Sequence, residues 1–316
     1  MKRIFFLLMA SAFFFSCHKS DSSSIEQNSI SHRECATNEA VQTAMSADPG
    51  LGQRMQQVEA FINRAITNNE VQKTAGSTIV IPVVVHVLYN NNAENISDAQ
   101  VQSQIDVLNE DFNLRNSDRN QVPSLFSGVV GNVGVKFVLN RIIRKFTSKK
   151  SWAANDNMKF TQKGGSDSYD PEHNLNIWVC NLAKYLGYSY YPGISPELDG
   201  VVCLYSAFGR TGTLLSTYNK GRTATHEVGH YLNLRHIWGD ATCGTDLVDD
   251  TPQHNEANFG CPAYPHYSTC AGTPVEMTMN YMDYTDDACM FMFSNGQKSR
   301  MLALFVPGGP RAVFAN

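Results

Sequence analysis

Residues 226–236 read HEVGHYLNLRH, three histidines and a glutamate at spacings that can do chemistry. On a helix, side chains four residues apart share a face. His226 and His230 can therefore direct their imidazoles at one cation. Glu227 is rotated off that face and reaches a water on the cation rather than the cation itself. Zinc held by three protein ligands with one open position lowers the pKa of its water to about 7. A neighbouring carboxylate takes the proton and later passes it to a leaving amine. These are the parts needed to hydrolyse a peptide bond.

His236 lies six residues beyond His230, and a straight helix would carry it away from the cation. The helix must stop after Leu232 and the chain must double back, which puts one residue at positive φ. Glycine takes that conformation most readily. Asn233 is the next best choice, because a short polar side chain tolerates the left-handed region. Asn233 is accordingly expected there, delivering His236 as third ligand. The alternative is an ordinary amphipathic helix with surface histidines. Histidine makes up only 9 of 316 residues. A chance HExxH somewhere in the chain is on the order of one in a hundred, and a third histidine at a set offset lowers that to one in several thousand. Those odds, together with the residues downstream of the motif, favour the metal.

HExxHxxNxxH resembles the metzincin motif HExxHxxGxxH with one departure, at Asn233. The stretches GRTATHEVGHYLNLRHIWGD, NYMDYTDDACMFMF, DTP at 250–252 and LNIWVCNL resemble the pappalysin family of metzincin metallopeptidases, over roughly residues 78 to 305. The resemblance implies that Met282, in MNYMDYTDD, forms a hydrophobic floor under the zinc. It makes Tyr284 the candidate to hydrogen-bond the tetrahedral intermediate, a packed core aromatic being the alternative. RECAT, with Cys35, resembles a family element whose thiolate occupies the open zinc position. A thiolate is a strong zinc ligand and would displace the catalytic water. A free or intermolecularly paired cysteine is the other reading of Cys35. Asp246, Asp249, Asp250 and Thr251 offer clustered oxygens of the kind calcium takes. Family members bind calcium near here, whereas a solvated acidic turn would look the same. Some relatives prefer a basic residue after the scissile bond, using an acidic pocket beyond the methionine turn. Asp286 and Asp287 are followed here by Ala288, and the preference stays open.

The chain holds eight cysteines. None has the CxxC spacing of a structural zinc site. Lys2 and Arg3 precede an apolar run from Ile4 to Phe15, too short to span a bilayer and read as a signal-peptide core. It ends FFSC, which resembles a lipobox with Cys17 as the lipidated residue; an ordinary secretory signal is the alternative. Export permits disulfides. Cys243, Cys261, Cys270 and Cys289 allow three pairings, of which the family pattern suggests Cys243–Cys270 and Cys261–Cys289. Cys180 and Cys203, in apparent strands, are candidates for a third bridge, Cys180–Cys203. Net charge is −4 with no block of like charge, so nothing points to nucleic acid or an anionic membrane surface.

The scaffold around these residues is legible from pattern. Residues 18–31 read as a polar tether. Residues 32–77 form a helical pro-segment, with Leu51, Met55, Val58, Ile62, Ala65 and Ile66 at helical spacing. TIVIPVVVHVLY, 78–89, is a β-branched strand in which Pro82 must lie near the start or on an edge. A helix comes next, with Ser97 as N-cap and Gln100 completing a capping box. Residues 133–142, 175–180 and 199–205 read as further strands, and a last helix runs from about Ser294 to Phe305. The fold class is α/β (α+β). A mixed twisted sheet with a backing helix and the active-site helix forms an upper subdomain, 78–236. It stands above an irregular lower subdomain, 237–316. The whole is expected to be an exported monomeric zinc endopeptidase, lipoprotein or secreted, made as a latent precursor and acting on proteins or peptides. Membrane contact is expected only through a lipid on Cys17. The alternatives are a non-catalytic peptide-binding module and a zincin acting on a cell-wall peptide.

Overall fold

β-Branched residues favour a pleated, packed strand, and IVIPVVVHVLY forms the longest interior strand of a five-stranded sheet. A computed structural model of the chain describes residue 30 and residues 32–74 and 78–315. The expected signal peptide, Cys17 and nearly all of the tether lie outside the described residues. Among the described residues no helix is long and apolar enough to cross a membrane.

The chain opens with helices α1 (Thr37–Ala47), α2 (Leu51–Thr67) and α3 (Glu70–Thr74). Strand β1 (Ile79–Tyr89) and helix α4 (Asp98–Asp111) follow. Then come strands β2 (Val135–Phe146), β3 (Leu175–Cys180), β4 (Gly187–Ser189) and β5 (Val201–Leu204), and helices α5 (Arg222–Tyr231) and α6 (Asn295–Ala303). The sheet order is β2-β1-β3-β5-β4, with only β4 antiparallel to its neighbour. Pro82 pairs with β2 but precedes Val83, the first residue paired to β3, so its missing N–H costs the second ladder nothing.

Both faces of the sheet are covered, as the near-continuous apolar runs of β1 and β3 require. On one face Val83, Val85 and Ile177 pack with Ile105 and Leu108 of α4, Val228 of α5, and Met282. On the other, Leu88, Trp178 and Val202 pack with Tyr188 and with Ala40 and Val41 of α1. Ser97 caps α4 by accepting from the Gln100 backbone N–H. The expected box is half made: the Gln100 amide instead donates to the carbonyls of Tyr205 and Phe208, tying α4 to the chain after β5.

The third disulfide is not formed. Cys180 and Cys203 are free and buried. The register pairs Val179 with Cys203 and Cys180 with Leu204. One residue out of step, the two cysteines point to opposite faces of the sheet. Below the sheet, the irregular region holds the bridges Cys243–Cys270 and Cys261–Cys289, each with Cα atoms 5.6 Å apart. Bridges of this kind stabilise by about 2–4 kcal/mol a region with little regular structure. Helix α6 closes the chain on a complete capping box between Ser294 and Gln297.

Candidate active site

Helix α5 ends at Tyr231, and Asn233 has φ 66°. The Leu234 N–H donates to the Gly229 carbonyl at 2.9 Å and the Asn233 N–H to the His230 carbonyl at 2.8 Å. This is a Schellman ending with asparagine in the left-handed place usually held by glycine. The turn sends His236 back under the helix. The Nε2 atom of His230 then lies 3.2 Å from that of His226 and 3.1 Å from that of His236.

The outer nitrogens fix which tautomer each ring takes. His226 Nδ1 faces the Tyr281 carbonyl at 2.7 Å, His230 Nδ1 the Leu234 carbonyl at 2.7 Å, and His236 Nδ1 an Asp240 carboxylate oxygen at 2.6 Å. Each partner accepts only, so each Nδ1 carries the hydrogen and three Nε2 lone pairs face one another. Burial holds His226 well below the ordinary imidazole range and His230 down at about 3, the adjacent rings adding to the effect. Three neutral donors converging without a hydrogen between them suit a cation. Ligands ~2.0–2.1 Å from a tetrahedral zinc would stand ~3.3 Å apart, close to the spacing seen. The donor set therefore fits zinc, with the outer hydrogen bonds orienting each ring.

Met282 is fully buried beneath this group. A Cβ at Gly229 would meet its sulfur at 2.4 Å, so the glycine within HEVGH lets helix and methionine turn touch. The Ile237 N–H donates to the Met282 carbonyl at 3.1 Å. Tyr284 packs against His226, His236 and Trp238 and points its hydroxyl at residue 35.

The segment ahead of α1 runs into this centre. Cys35 forms a parallel bridge with Gly187 of edge strand β4, the Ala36 N–H donating to the Gly187 carbonyl at 3.0 Å. The ligand atoms of Cys35, His226, His230 and His236 all lie within 4.8 Å of one another. The Cys35 thiol is 3.3 Å from Glu227 Oε2, and the Tyr284 hydroxyl makes 3.2 Å hydrogen bonds to both the N–H and the carbonyl of residue 35. Burial pushes the Glu227 carboxyl up to about 8, against the hydrogen bonds it accepts. A Cβ at Gly187 would meet Glu227 at 2.8 Å, so β4 also passes close enough to require glycine there.

Sequence reasoning missed three participants. Thr37 is buried, accepts from the Ser189 N–H, and sets its hydroxyl 3.5 Å from Glu227 Oε2. Asp240 orients His236, four residues before it, a spacing that could have signalled the pair. Arg33, two residues before Cys35, is buried and donates to Asp287 Oδ1 at 2.6 Å, to Thr223 Oγ1 at 3.2 Å and to the Thr285 carbonyl at 3.1 Å. Its guanidinium lies 5.2 Å from the Tyr218 ring centre. Its partner Asp287 is named from the sequence only beside Asp286, with its role left open. Its other oxygen accepts from the Lys220 and Arg222 N–H groups at the start of α5. Asp286 stands beside it but makes no bond to Arg33 in this pocket. Of the four residues expected to hold calcium, only Asp246 and Thr251 come together, with the Thr251 hydroxyl 2.9 and 3.0 Å from the Asp246 carboxylate oxygens and 2.9 Å from the Val248 carbonyl. Asp249 is exposed, and Asp250 accepts from Ser294 and the Gly296 N–H at the head of α6. Among the described residues, Cys35 and the three histidines form the one group of three or more His, Cys, Asp or Glu side chains able to share a metal.

The chain is similar to known proteins. The sequence model of the family described as pregnancy-associated plasma protein-A matches residues 161–305. An extracellular metalloprotease of Arthroderma otae is 32% identical over 266 residues, covering 81% of this chain and 87% of its own length. The chain belongs to the pappalysin family. Like its relatives it is a metallopeptidase. Among solved structures, Tannerella forsythia mature mirolysin in complex with a cleaved peptide is 48% identical and matches with a TM-score of 0.73 over 76% of this chain and 96% of that one. A T. forsythia promirolysin mutant is 43% identical and matches with a TM-score of 0.79 over 89% of this chain and 97% of that one. The pappalysin fold here is thus a metzincin-like mixed α/β architecture, and the precursor structure covers the larger share of the chain.

Proposed function

We propose that this pappalysin is an exported zinc endopeptidase made as a latent precursor. The observation that carries the reading is the convergence of Cys35, Glu227 and the three histidines on one point. His226, His230 and His236 would hold the ion, which when bound supplies a polarised water at neutral pH. Glu227 Oε2 takes a proton from the attacking water as the C–O bond forms and returns it to the amine nitrogen, so that the C–N bond of the tetrahedral intermediate then breaks. The Tyr284 hydroxyl donates to the carbonyl oxygen of the scissile bond as negative charge develops there. β4 offers its free edge to an extended peptide. Met282 and Gly229 hold the floor.

In the precursor these positions are taken. The Tyr284 hydroxyl is spent on residue 35, Glu227 is held by Cys35 and Thr37, and Cys35 Sγ stands as fourth donor. Burial and the Glu227 charge push the Cys35 thiol well above its ordinary range, against the hydrogen bonds from Thr37; a cation at the histidines would favour its thiolate. Arg33 fills a pocket floored by Asp287 and walled by Tyr218. Once the pro-segment leaves, that pocket is a slot for a basic side chain next to the bond that is cut. Export follows the leader at residues 1–17, with a lipid on Cys17 as its anchor. The test is cleavage of a denatured protein by the activated chain. Chelation should abolish it, zinc should restore it, and cuts should fall beside arginine or lysine. An activated chain that binds peptide without cutting it would make this a binding module instead.

A further inference from the structure

A separate cavity has a volume of about 650 Å³. It opens among the segments that follow β1, β3 and β5, and Ile30, just ahead of the pro-segment, lines it. Its floor is aliphatic: Leu182 and Leu204 are buried there, and Ile30, Tyr205 and Leu215 pack against the same apolar cluster. The carboxylate of Glu94, at its rim, already accepts from the Asn90 N–H and from the Asn91 and Asn181 amides. It holds the rim loops together and is not a free charge for a ligand. Lys150 and Lys184 are exposed at the mouth. Downstream of Arg33 the pro-segment runs beside β4, where the Leu186 N–H donates to the Glu34 carbonyl at 2.9 Å.

We infer that this cavity is a remote substrate subsite that takes an aliphatic side chain three residues beyond the basic one. The inference rests on the reading of the Asp287 pocket as a basic slot. The precursor shows the path: catalytic residues at Cys35, slot at Arg33, cavity at Ile30. Three extended residues span ~10 Å. A peptide whose basic side chain takes the Arg33 place therefore lays its third residue further from the cut bond over Leu182, Leu204 and Leu215. Ile30 is the occupant in the precursor, and an aliphatic substrate side chain takes its place after activation.

The test uses the activated protein and peptides with arginine beside the bond to be cut. The residue three positions further from that bond is isoleucine, serine, glutamate or lysine. Products are identified by mass and kcat/KM is measured for each. Burying an aliphatic side chain predicts ~10-fold higher kcat/KM for isoleucine than for serine. Leu215→Asp, at a half-exposed loop position, should bring that ratio close to one. Equal rates for isoleucine and serine, a preference for glutamate or lysine, or an unchanged ratio in Leu215→Asp would each overturn the inference while leaving the slot standing. Cleavage away from arginine, or none, would overturn the slot and the inference together.

Discussion

The sulfur of Cys35 and Oε2 of Glu227 lie 3.3 Å apart. A residue of the pro-segment and a residue of the motif helix thus meet where a catalytic water would have to stand. Thr37 and Tyr284 close the same space from either side. Latency in this arrangement is occupation of the site itself.

The intact precursor should therefore be nearly inactive until cut between about Ile66 and Thr78, where the helices of the pro-segment can leave while β1 stays in the sheet. Cys35→Ala should raise precursor activity ~10-fold or more, since each ~1.4 kcal/mol of lost docking free energy is a factor of ten. The measurement compares peptide cleavage by the intact chain with that of a form starting near Thr78. Equal rates would contradict the account of latency.

Arg33 and Asp287 are both buried, and removing one partner of such a pair strands the other's charge. Arg33→Ala should speed release of the pro-segment, read as the rate of activation by a fixed amount of added protease. In the activated chain, Asp287→Asn should cut the preference for arginine over leucine beside the scissile bond by ~10-fold or more, in KM more than kcat. An unchanged preference in a product survey would remove Asp287 from specificity.

Asn233 should tolerate glycine and reject a β-branched residue, because φ 66° costs valine far more than asparagine. Asn233→Gly should keep zinc and activity. Asn233→Val should lose zinc affinity, as the strain falls on the turn that presents His236. His236→Ala should release metal far more readily than a change at His254 or His266. Zinc content after dialysis against a graded chelator ranks all of these side by side. The Asn233 amide also donates to Glu59 of α2, and Arg300 pairs with the same carboxylate. Loss of that contact should show only in the precursor.

His86 is fully buried between Ser166 and Asn176, with burial pulling it down to about 4. Its unfolded-state pKa is near 6.5. Between those values the unfolded chain binds the proton and the folded chain does not, so stability present above pH 6.5 is lost as pH falls towards 4. The full effect is about 3 kcal/mol. Urea midpoints at pH 4.5 and 7 should drop less in His86→Gln than in the parent; parallel drops would show that His86 is not the proton-linked group.

Local patterns make much of this legible. HExxH spacing, the need for one positive φ before His236, and the β-branched run of β1 each depend on neighbours within a few residues. The hidden part is set by register and by distant pairing. β4 has only three residues and no alternating pattern, yet it is the edge that meets Cys35. Arg33 and Asp287 are 254 residues apart, and nothing local marks them as partners. Cys180 and Cys203 suggest a bridge because both sit in strands. Only the pairing of Val179 with Cys203 shows that they face opposite ways. Gln100 has the right spacing for a capping box, but the carbonyls of Tyr205 and Phe208 claim its side chain.

The central claim is that Glu227 moves the proton in a metal-dependent cleavage. The most direct test is Glu227→Ala in the activated chain, with zinc content, unfolding midpoint and turnover of one arginine-containing peptide measured on the same sample. Near-full zinc, little change in midpoint, and kcat lower by several orders of magnitude is the result this account predicts. Near-parental turnover by a folded, zinc-loaded Glu227→Ala protein would contradict it.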